Sequence, residues 1–319
     1  MRALVAVSLA LASGMAQAQW NDCPARQIRL VIGYTPGGAA DAIARIVGDA
    51  MAKQLGVGIV VDNKPGAGST LASDILARAA PDGCTLGLAT GTLYGIDQYL
   101  YKAKYTPQDF TAITRLTTSP LILAVNKGLG ADSIAGLKEK ARAAAGGLNY
   151  ASSGIGGSPH MAALMFEKSI GAGMTHIPYK GGAPALQAVA QGDVHFSFGT
   201  ASSVLPLGHQ GMVRMIGISS LTRSAIAPEI PTLAELGLPG FEFTFWFGLF
   251  GPAKLPKEMV EKLHTAAVKA ANQPEVKAKL LSSGNEVSTS ATPEAFNSWA
   301  SEDGRRVRER AEQAKVKID

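Results

Sequence analysis

Apolar runs and amphipathic stretches alternate along most of this chain. Residues 28–33 form an apolar run typical of a buried strand, and residues 41–55 carry apolar side chains at helical spacing. A second strand (56–61), a second helix (69–80) and a third strand (84–89) follow in the same order. Strands that alternate with helices predict a parallel sheet with right-handed crossover connections.

The alternation restarts in the middle of the chain. The predicted strands are 121–125, 148–151, 174–177, 194–198 and 213–218, and the predicted helices are 134–145, 158–170, 183–191 and 201–210. After an aromatic segment at 241–250, interpreted as a buried strand of the hinge, only helical patterns remain, at 257–271, 274–281 and 293–315. These last helices have few strands of their own to cover, so we expect them to pack on the first sheet.

This arrangement predicts two doubly wound α/β lobes. Residues 19–120 and 236–319 would form the first lobe, and residues 121–235 the second. The chain would cross between the lobes near 117–121 and 219–245, which makes a two-crossing hinge beside a cleft. Ligands in open α/β sheets bind outside the carboxyl ends of the strands, so we expect a binding site there.

Five loops of small residues end the predicted strands, each directly before a helix. They are residues 34–38, 65–69, 152–158, 179–182 and 199–203. The N-terminus of a helix presents unpaired backbone N–H groups and the positive end of the helix dipole. Several such loops in one cleft favour a receptor for a small anion.

The first residues resemble a secretory signal peptide. Arg2 precedes an apolar run at 3–12, and Ala16-Gln17-Ala18 supplies a cleavage site, which predicts a mature chain that begins at Gln19. The alternative, a membrane anchor, needs a longer apolar run than this. No cysteine follows the cleavage site directly, so we expect a periplasmic protein without an N-terminal lipid anchor.

Charge and cysteine content indicate which binding partners and which covalent or metal links to expect. The formal net charge is +5, and the charged residues, 17% of the total, are dispersed, so no nucleic-acid footprint is apparent. Cys23 and Cys84 are the only cysteines. An oxidising compartment favours a disulfide between them, with two unpaired thiols as the alternative. No histidine or carboxylate cluster accompanies them, so we expect no metal site.

The motifs of common enzymes are absent from the sequence. None of the loops ends in Gly-Lys-Ser/Thr, no G-x-G-x-x-G opens the first helix, and no G-x-S-x-G or H-E-x-x-H occurs. We therefore expect no catalytic residues and no cofactor. A hydrolase stays an alternative, because backbone amides in such loops can also form an oxyanion hole.

The candidate ligand-binding residues lie in and beside the five loops. They are Tyr34, Pro36, Gly37, Gly38, Asp41, Gly68, Ser69, Thr92, Ser152, Ser153, Gly154, Gly157, His160, Tyr179, Lys180, Gly181, Thr200 and Ser202. Several have structural alternatives: Asp41 and Ser69 as helix caps, His160 as a structural side chain, and Lys180 as a solvated one.

Five groups of residues resemble one protein family. They are YTPGG at 34–38 with Asp41, VDNKPGAG at 61–68 followed by APDG at 80–83, SPH at 158–160, HIPYKG at 176–181, and PTLAELG at 231–237. They are similar to the Bug, or TctC, solute receptors of tripartite tricarboxylate transporters. The resemblance implies a type II periplasmic-binding-protein fold that closes on a ligand, often a carboxylate, and delivers it to membrane permease subunits. It also implies a monomer. A sensor that reports to a membrane kinase would share this fold and stays an alternative.

Overall fold

The computed structural model describes residues 23–317. The predicted signal segment and its cleavage site lie outside this range. The strands are β1 (Gln27–Ile32), β2 (Gly58–Asn63), β3 (Thr85–Ala89), β4 (Phe110–Asn126), β5 (Leu148–Ser152), β6 (Met174–Pro178), β7 (Phe196–Thr200), β8 (Val213–Ile218), β9 (Thr244–Pro252) and β10 (Glu286–Val287).

The helices mostly follow the predicted positions. They are α1 (Ala39–Leu55), α2 (Thr70–Ala77), α3 (Ile96–Tyr101), α4 (Ile134–Ala143), α5 (Ser158–Ile170), α6 (Gly182–Gln191), α7 (Ala201–His209), α8 (Lys257–Ala271), α9 (Pro274–Ser282) and α10 (Pro293–Gln313). The short helix α3 had no counterpart in the prediction, because its six residues are too few to show helical periodicity.

The strands form one long curled sheet in the order β2-β1-β3-β9-β4-β7-β5-β6, with β8 and β10 paired to β4. β1 is parallel to both β2 and β3, and β5 is parallel to both β6 and β7. β9 and β4 run antiparallel to their neighbours between these two parallel groups. The predicted α/β architecture is therefore confirmed.

β4 crosses between the two parts of the sheet. Residues 110–120 of this strand pair with β9, and residues 121–126 pair with β7 and β8. The first half was missed in the prediction because polar residues hold buried positions there: Thr114 and Thr117 are fully buried. The change of partners falls at Pro120 and Leu121, within the predicted crossing.

One buried hydroxyl connects the chain segments at this crossing. Ser219 Oγ accepts a hydrogen bond from the Leu121 amide (2.8 Å) and donates to the Phe243 carbonyl (2.5 Å). The Ser219 backbone also bonds to both residues, through its amide to Leu121 O and through its carbonyl to Phe243 N, each at 2.8 Å. The two crossings are thus joined at a single residue.

Apolar cores lie on the two parts of the sheet. Leu263 of α8 and Leu280 of α9 pack into the core that contains Ile43 of α1, as expected for helices that cover the first sheet. Ile96 and Leu100 of α3 instead join the core of β5 and α5. The lobe boundaries at residues 120 and 236 stay a prediction.

Cys23 and Cys84 form the predicted disulfide, with their Cα atoms 5.3 Å apart. The bond joins the segments that lead into β1 and β3, and these two strands are parallel neighbours, with Arg29 opposite Thr85. Within residues 23–317, no helix combines the length and the apolar character that crossing a membrane requires.

Candidate ligand-binding cleft

The loops that follow β1, β2 and β3 meet at one edge of the first sheet, because the three strands are parallel. Tyr34, directly after β1, packs edge-on against Phe247, with ring centroids 5.6 Å apart. Burial raises the pKa of the Tyr34 phenol, although hydrogen bonding to Thr90 and Ser69 opposes the shift. The phenol is therefore protonated at neutral pH and places a neutral hydroxyl beside Ser69.

The loop before α2 passes very close to the end of β1. A Cβ atom on Gly33 would lie 2.3 Å from the Ser69 Cβ, so only glycine fits at position 33. Ser69 has a left-handed backbone (φ 79°) at the N-cap of α2, and its side chain makes no capping hydrogen bond. Its hydroxyl is therefore not occupied with its own helix.

Asp41 holds the loop between β1 and α1. Its buried carboxylate pairs with Arg45 (2.9 Å) and accepts hydrogen bonds from the Gly37 amide and the Asn63 side chain, both at 3.0 Å. The hydrogen bonds from Arg45 are the main reason that the pKa of Asp41 is lowered to about 2. The Gly37 amide, which the sequence suggested as a donor to a ligand, is thus engaged within the protein, whereas Gly38 is the N-cap of α1 without a side-chain cap.

A buried carboxyl group lies beneath these loops. Asp97 of α3 is fully buried and accepts a hydrogen bond from the Tyr105 hydroxyl (2.6 Å). Its Oδ1 atom has no hydrogen-bond partner in the described part of the chain. Burial raises the pKa of Asp97 to about 6, against the opposing effect of Tyr105 and Thr92. The Thr92 hydroxyl also lies 3.2 Å from that of Thr90.

In the second part of the sheet, the loop between β5 and α5 is held by two histidines. Ser152 Oγ lies 2.6 Å from His176 Nε2, and it bonds to both the amide and the carbonyl of Gly154. The Gly156 amide donates to His160 Nδ1 (3.0 Å). His160 is buried, so its ring contacts the loop from the protein side.

The remaining candidates follow β6 and β7. The Tyr179 amide donates to the Ser152 carbonyl (3.0 Å), which ties the two loops together. Lys180 is exposed, and Gly181 is the N-cap of α6. The Thr200 hydroxyl lies 3.2 Å from that of Ser202.

Helix α3 lies between the two groups of loops. A Cβ atom on Gly68 would approach the Tyr101 ring to 2.3 Å, and one on Gly156 would approach Leu100 Cδ1 to the same distance. The β2–α2 and β5–α5 loops therefore contact two successive residues at the C-terminal end of one short helix. The β7–α7 loop lies further along, where the Ser202 amide would be 3.1 Å from a Cβ atom on Gly284.

Five helices begin at these loops without side-chain caps. None of their N-cap residues makes a capping side-chain hydrogen bond: Gly38, Ser69, Gly157, Gly181 and Thr200. Such N-termini carry partial positive charge and attract anions. Within residues 23–317, no group of three or more histidine, cysteine or acidic side chains has the arrangement of a metal site.

Sequence reasoning missed several residues at this site. Asp97, Tyr101 and His176 reach it only through tertiary packing and lie outside the glycine-rich loops. The sequence does contain one local signal for the loop contacts. Asp41 accepts a hydrogen bond from the Gly37 amide and His160 from the Gly156 amide, and in both pairs the acceptor follows the glycine by four residues.

Comparison with known proteins places this geometry in a family. A profile described as "Tripartite tricarboxylate transporter family receptor" (TctC) matches residues 43–309. A relative from Pseudomonas sp. (strain P51), named "UPF0065 protein in tcbD-tcbE intergenic region", is 36% identical over 279 residues. Those residues are 86% of this chain and 83% of the relative.

Two solved structures from Rhodopseudomonas palustris are similar over nearly the whole chain. Rpa4515 with adipate is 29% identical with a TM-score of 0.82, and the match covers 93% of this chain and 100% of that one. MatC (Rpa3494) with bound malate is 31% identical with a TM-score of 0.77, and covers 90% and 99% respectively. These matches confirm the type II periplasmic-binding-protein fold and the resemblance to the Bug and TctC receptors. The chain belongs to the TctC family of periplasmic solute-binding receptors.

Proposed function

We propose that this protein is an extracytoplasmic receptor that binds a small organic acid in the cleft and delivers it to the membrane subunits of a tripartite tricarboxylate-type transporter. The observation that carries the proposal is that five helices begin directly after loops at strand ends with no side-chain cap at the N-terminus. The adipate and malate bound by two similar proteins support a carboxylate as the ligand class.

Binding would replace the hydration shell of a carboxylate with neutral donors. Backbone amides at Gly38 and Gly181, together with the hydroxyls of Tyr34 and Ser69, supply such donors without a buried cation. Bridging waters would complete the shell, and water-mediated bonds can be nearly as favourable as direct ones.

Closure would bring the two groups of loops together around the acid. The lobes proposed here, 19–120 with 236–319 and 121–235, would rotate about the crossings joined at Ser219. A ligand favours the closed state only through contacts that the open state lacks. Contacts from both groups of loops to one carboxylate-bearing ligand would provide them.

A thermal-shift screen tests the ligand class. Purified protein, stripped of bound ligand by reversible unfolding, would be titrated with mono-, di- and tricarboxylates and with the corresponding neutral amides as matched controls. Selective binding to the native state raises the melting temperature, so at least one acid should raise it while its amide does not. Stabilisation by amides or sugars alone would overturn the acid assignment.

The location of the mature protein is a separate part of the proposal. We propose cleavage after Ala18 and export as a monomer without a lipid anchor. Intact-mass measurement of the exported protein should give a chain that begins at Gln19. A retained segment 1–18, or an added lipid mass, would contradict this part and leave the ligand assignment untouched.

A further inference from the structure

Two histidines support the β5–α5 loop from beneath, and each is paired with a different part of it. His160, in the first turn of α5, accepts the Gly156 amide at Nδ1 (3.0 Å). His176, on β6, places Nε2 2.6 Å from the Ser152 hydroxyl oxygen. The loop is therefore bound at its beginning and at its middle by side chains from two different elements.

The hydrogen-bond pattern determines which nitrogen of each ring carries the proton. His160 Nδ1 accepts from a backbone N–H, so the proton of the neutral ring lies on Nε2. Ser152 Oγ donates its one proton to the Gly154 carbonyl (2.9 Å) and accepts from the Gly154 amide (3.1 Å). The remaining partner of this hydroxyl, His176 Nε2, must therefore donate, so this ring also carries its proton on Nε2.

Ring stacking keeps both imidazoles in place. The His160 and His176 rings stack with centroids 3.8 Å apart and planes 11° apart. Tyr150 stacks on His176 at 5.0 Å, and Phe196 stacks on Tyr150 at 5.5 Å. Burial lowers the pKa of His160 to about 3 and that of His176 to about 4, so both rings are neutral at physiological pH.

The amides of the loop divide into two sets. Gly154 and Gly156 donate inward, to Ser152 and His160, and both have positive φ values, 135° and 74°. The amides of Ser153 and Ile155, which alternate with them, make no hydrogen bond within residues 23–317. Fixing the inward amides therefore determines where the alternate amides point.

We propose that His160 and His176 are positioning residues that, as neutral Nε2–H tautomers, hold the β5–α5 loop so that its Ser153 and Ile155 amides are presented to the ligand. The histidines themselves do not touch the ligand. The inference rests on the proposed function for the role of the outward amides, but the geometry of the loop and the tautomers can be tested without any ligand.

Substitutions that imitate one ring nitrogen at a time test the assignment. The amide oxygen of asparagine reproduces an Nδ1 acceptor, and glutamine reaches the position of Nε2. His160→Asn and His176→Gln should therefore retain function, whereas the exchanged pair, His160→Gln and His176→Asn, should not. His209→Asn, at the exposed end of α7, is the matched control.

The first readout is hydrogen exchange of amides 153–158 in ligand-free protein. We expect His160→Gln and His176→Asn to raise the exchange rate by about tenfold, as for the loss of one net hydrogen bond, and the imitating variants to stay near wild type. In titrations with adipate and malate, His160→Gln and His176→Asn should have a higher Kd than the wild type, and the imitating variants should stay near the wild-type Kd. Equal behaviour of His160→Asn and His160→Gln would overturn the proposal.

A second readout needs no variant and therefore does not depend on their folding. Two-bond ¹⁵N–¹H correlation spectra of the wild type should show both rings as neutral Nε2–H tautomers. A proton on Nδ1 of His160 would overturn the proposal. If the spectra and the exchange rates agree with it while no acid binds the wild type, the proposed function fails and the positioning role stands.

Discussion

Helices that begin at the candidate cleft and helices that begin on the outer surface differ in how their N-termini are capped. On the outer surface, the Ser133 and Thr292 side chains cap α4 and α10. Glu258, Glu275 and Glu294 stand in the first turns of α8, α9 and α10. Every outer N-terminus thus has a hydroxyl or a carboxylate of the protein to offset its partial positive charge.

The helices α2, α5, α6 and α7 at the candidate cleft have neither a side-chain cap nor an acidic residue in the first turn. α1 has Asp41 in its first turn, but Arg45 pairs with that carboxylate. Polar side chains therefore stabilise the N-termini on the outer surface, whereas the N-termini where a ligand is proposed to bind lack them. The following substitutions test this contrast.

The largest effect is expected at Asp97, the carboxyl in the first turn of α3. Burial raises its pKa to about 6, so the native state favours the protonated form, and stability is lost as pH rises through 6. Asp97→Asn should remove this loss and stabilise the protein at pH 8 by about 3 kcal/mol. Urea unfolding at pH 4.5 and pH 8 measures the difference. A variant with the pH slope of the wild type would contradict the burial argument.

Asp41→Asn should act in the opposite direction. The pKa of Asp41 is lowered to about 2, so its contribution is present above pH 4 and is lost as pH falls toward 2. We expect a loss of about 1.5 kcal/mol at pH 7, discounted for the exposure of Arg45, and no loss near pH 2. Urea unfolding across this range tests it, and a pH-independent loss would indicate that packing, not charge, is responsible.

Two threonines at N-cap positions give a matched pair. Thr292 accepts the Ala295 amide (3.1 Å), whereas Thr200 makes no capping bond. Thr292→Ala should cost about 1 kcal/mol of unfolding free energy, and Thr200→Ala only a few tenths. Thr200→Ala should weaken acid binding, which Thr292→Ala leaves unchanged. Calorimetric titration and urea unfolding of both variants measure the two effects, and equal stability losses would remove the contrast between cleft and surface.

A new carboxylate in the cleft gives the smallest effect. Ala183 is exposed in the first turn of α6, and Ala295 is its counterpart in α10. Ala183→Glu should weaken binding of an organic acid by about fivefold, because a like charge would lie near the ligand. Ala295→Glu should leave the affinity unchanged. Titrations at low and high salt would identify the electrostatic part, and unaltered affinity in Ala183→Glu would place α6 outside the binding region.

Much of this fold could be predicted from local pattern. The alternation of strands and helices, the crossing near Leu121 and the Cys23–Cys84 pairing follow from hydrophobic periodicity and from chemistry that the sequence displays. The first half of β4 could not be predicted, because its buried polar residues break the apolar pattern, and Thr114 finds its hydrogen-bond partners only in the folded protein. The Thr114 hydroxyl, for example, accepts the Ser290 amide.

The site was accessible from sequence only in part. The glycine-rich loops are local signals, and they mark which strand ends carry helix N-termini. Which amides stay open depends on side-chain partners such as His160, and the burial of Asp97 depends on packing between distant elements. Loop composition therefore indicates where donors are, and tertiary contacts decide which of them a ligand can reach.

The buried Ser219, where β4 changes its strand partners, has a mechanical consequence for the proposed lobes. Its side chain and main chain both bond to β4 and to the segment that enters β9, so we expect the two connections to move together. The closure proposed above would then be one rotation about a single axis, without independent bending of each connection.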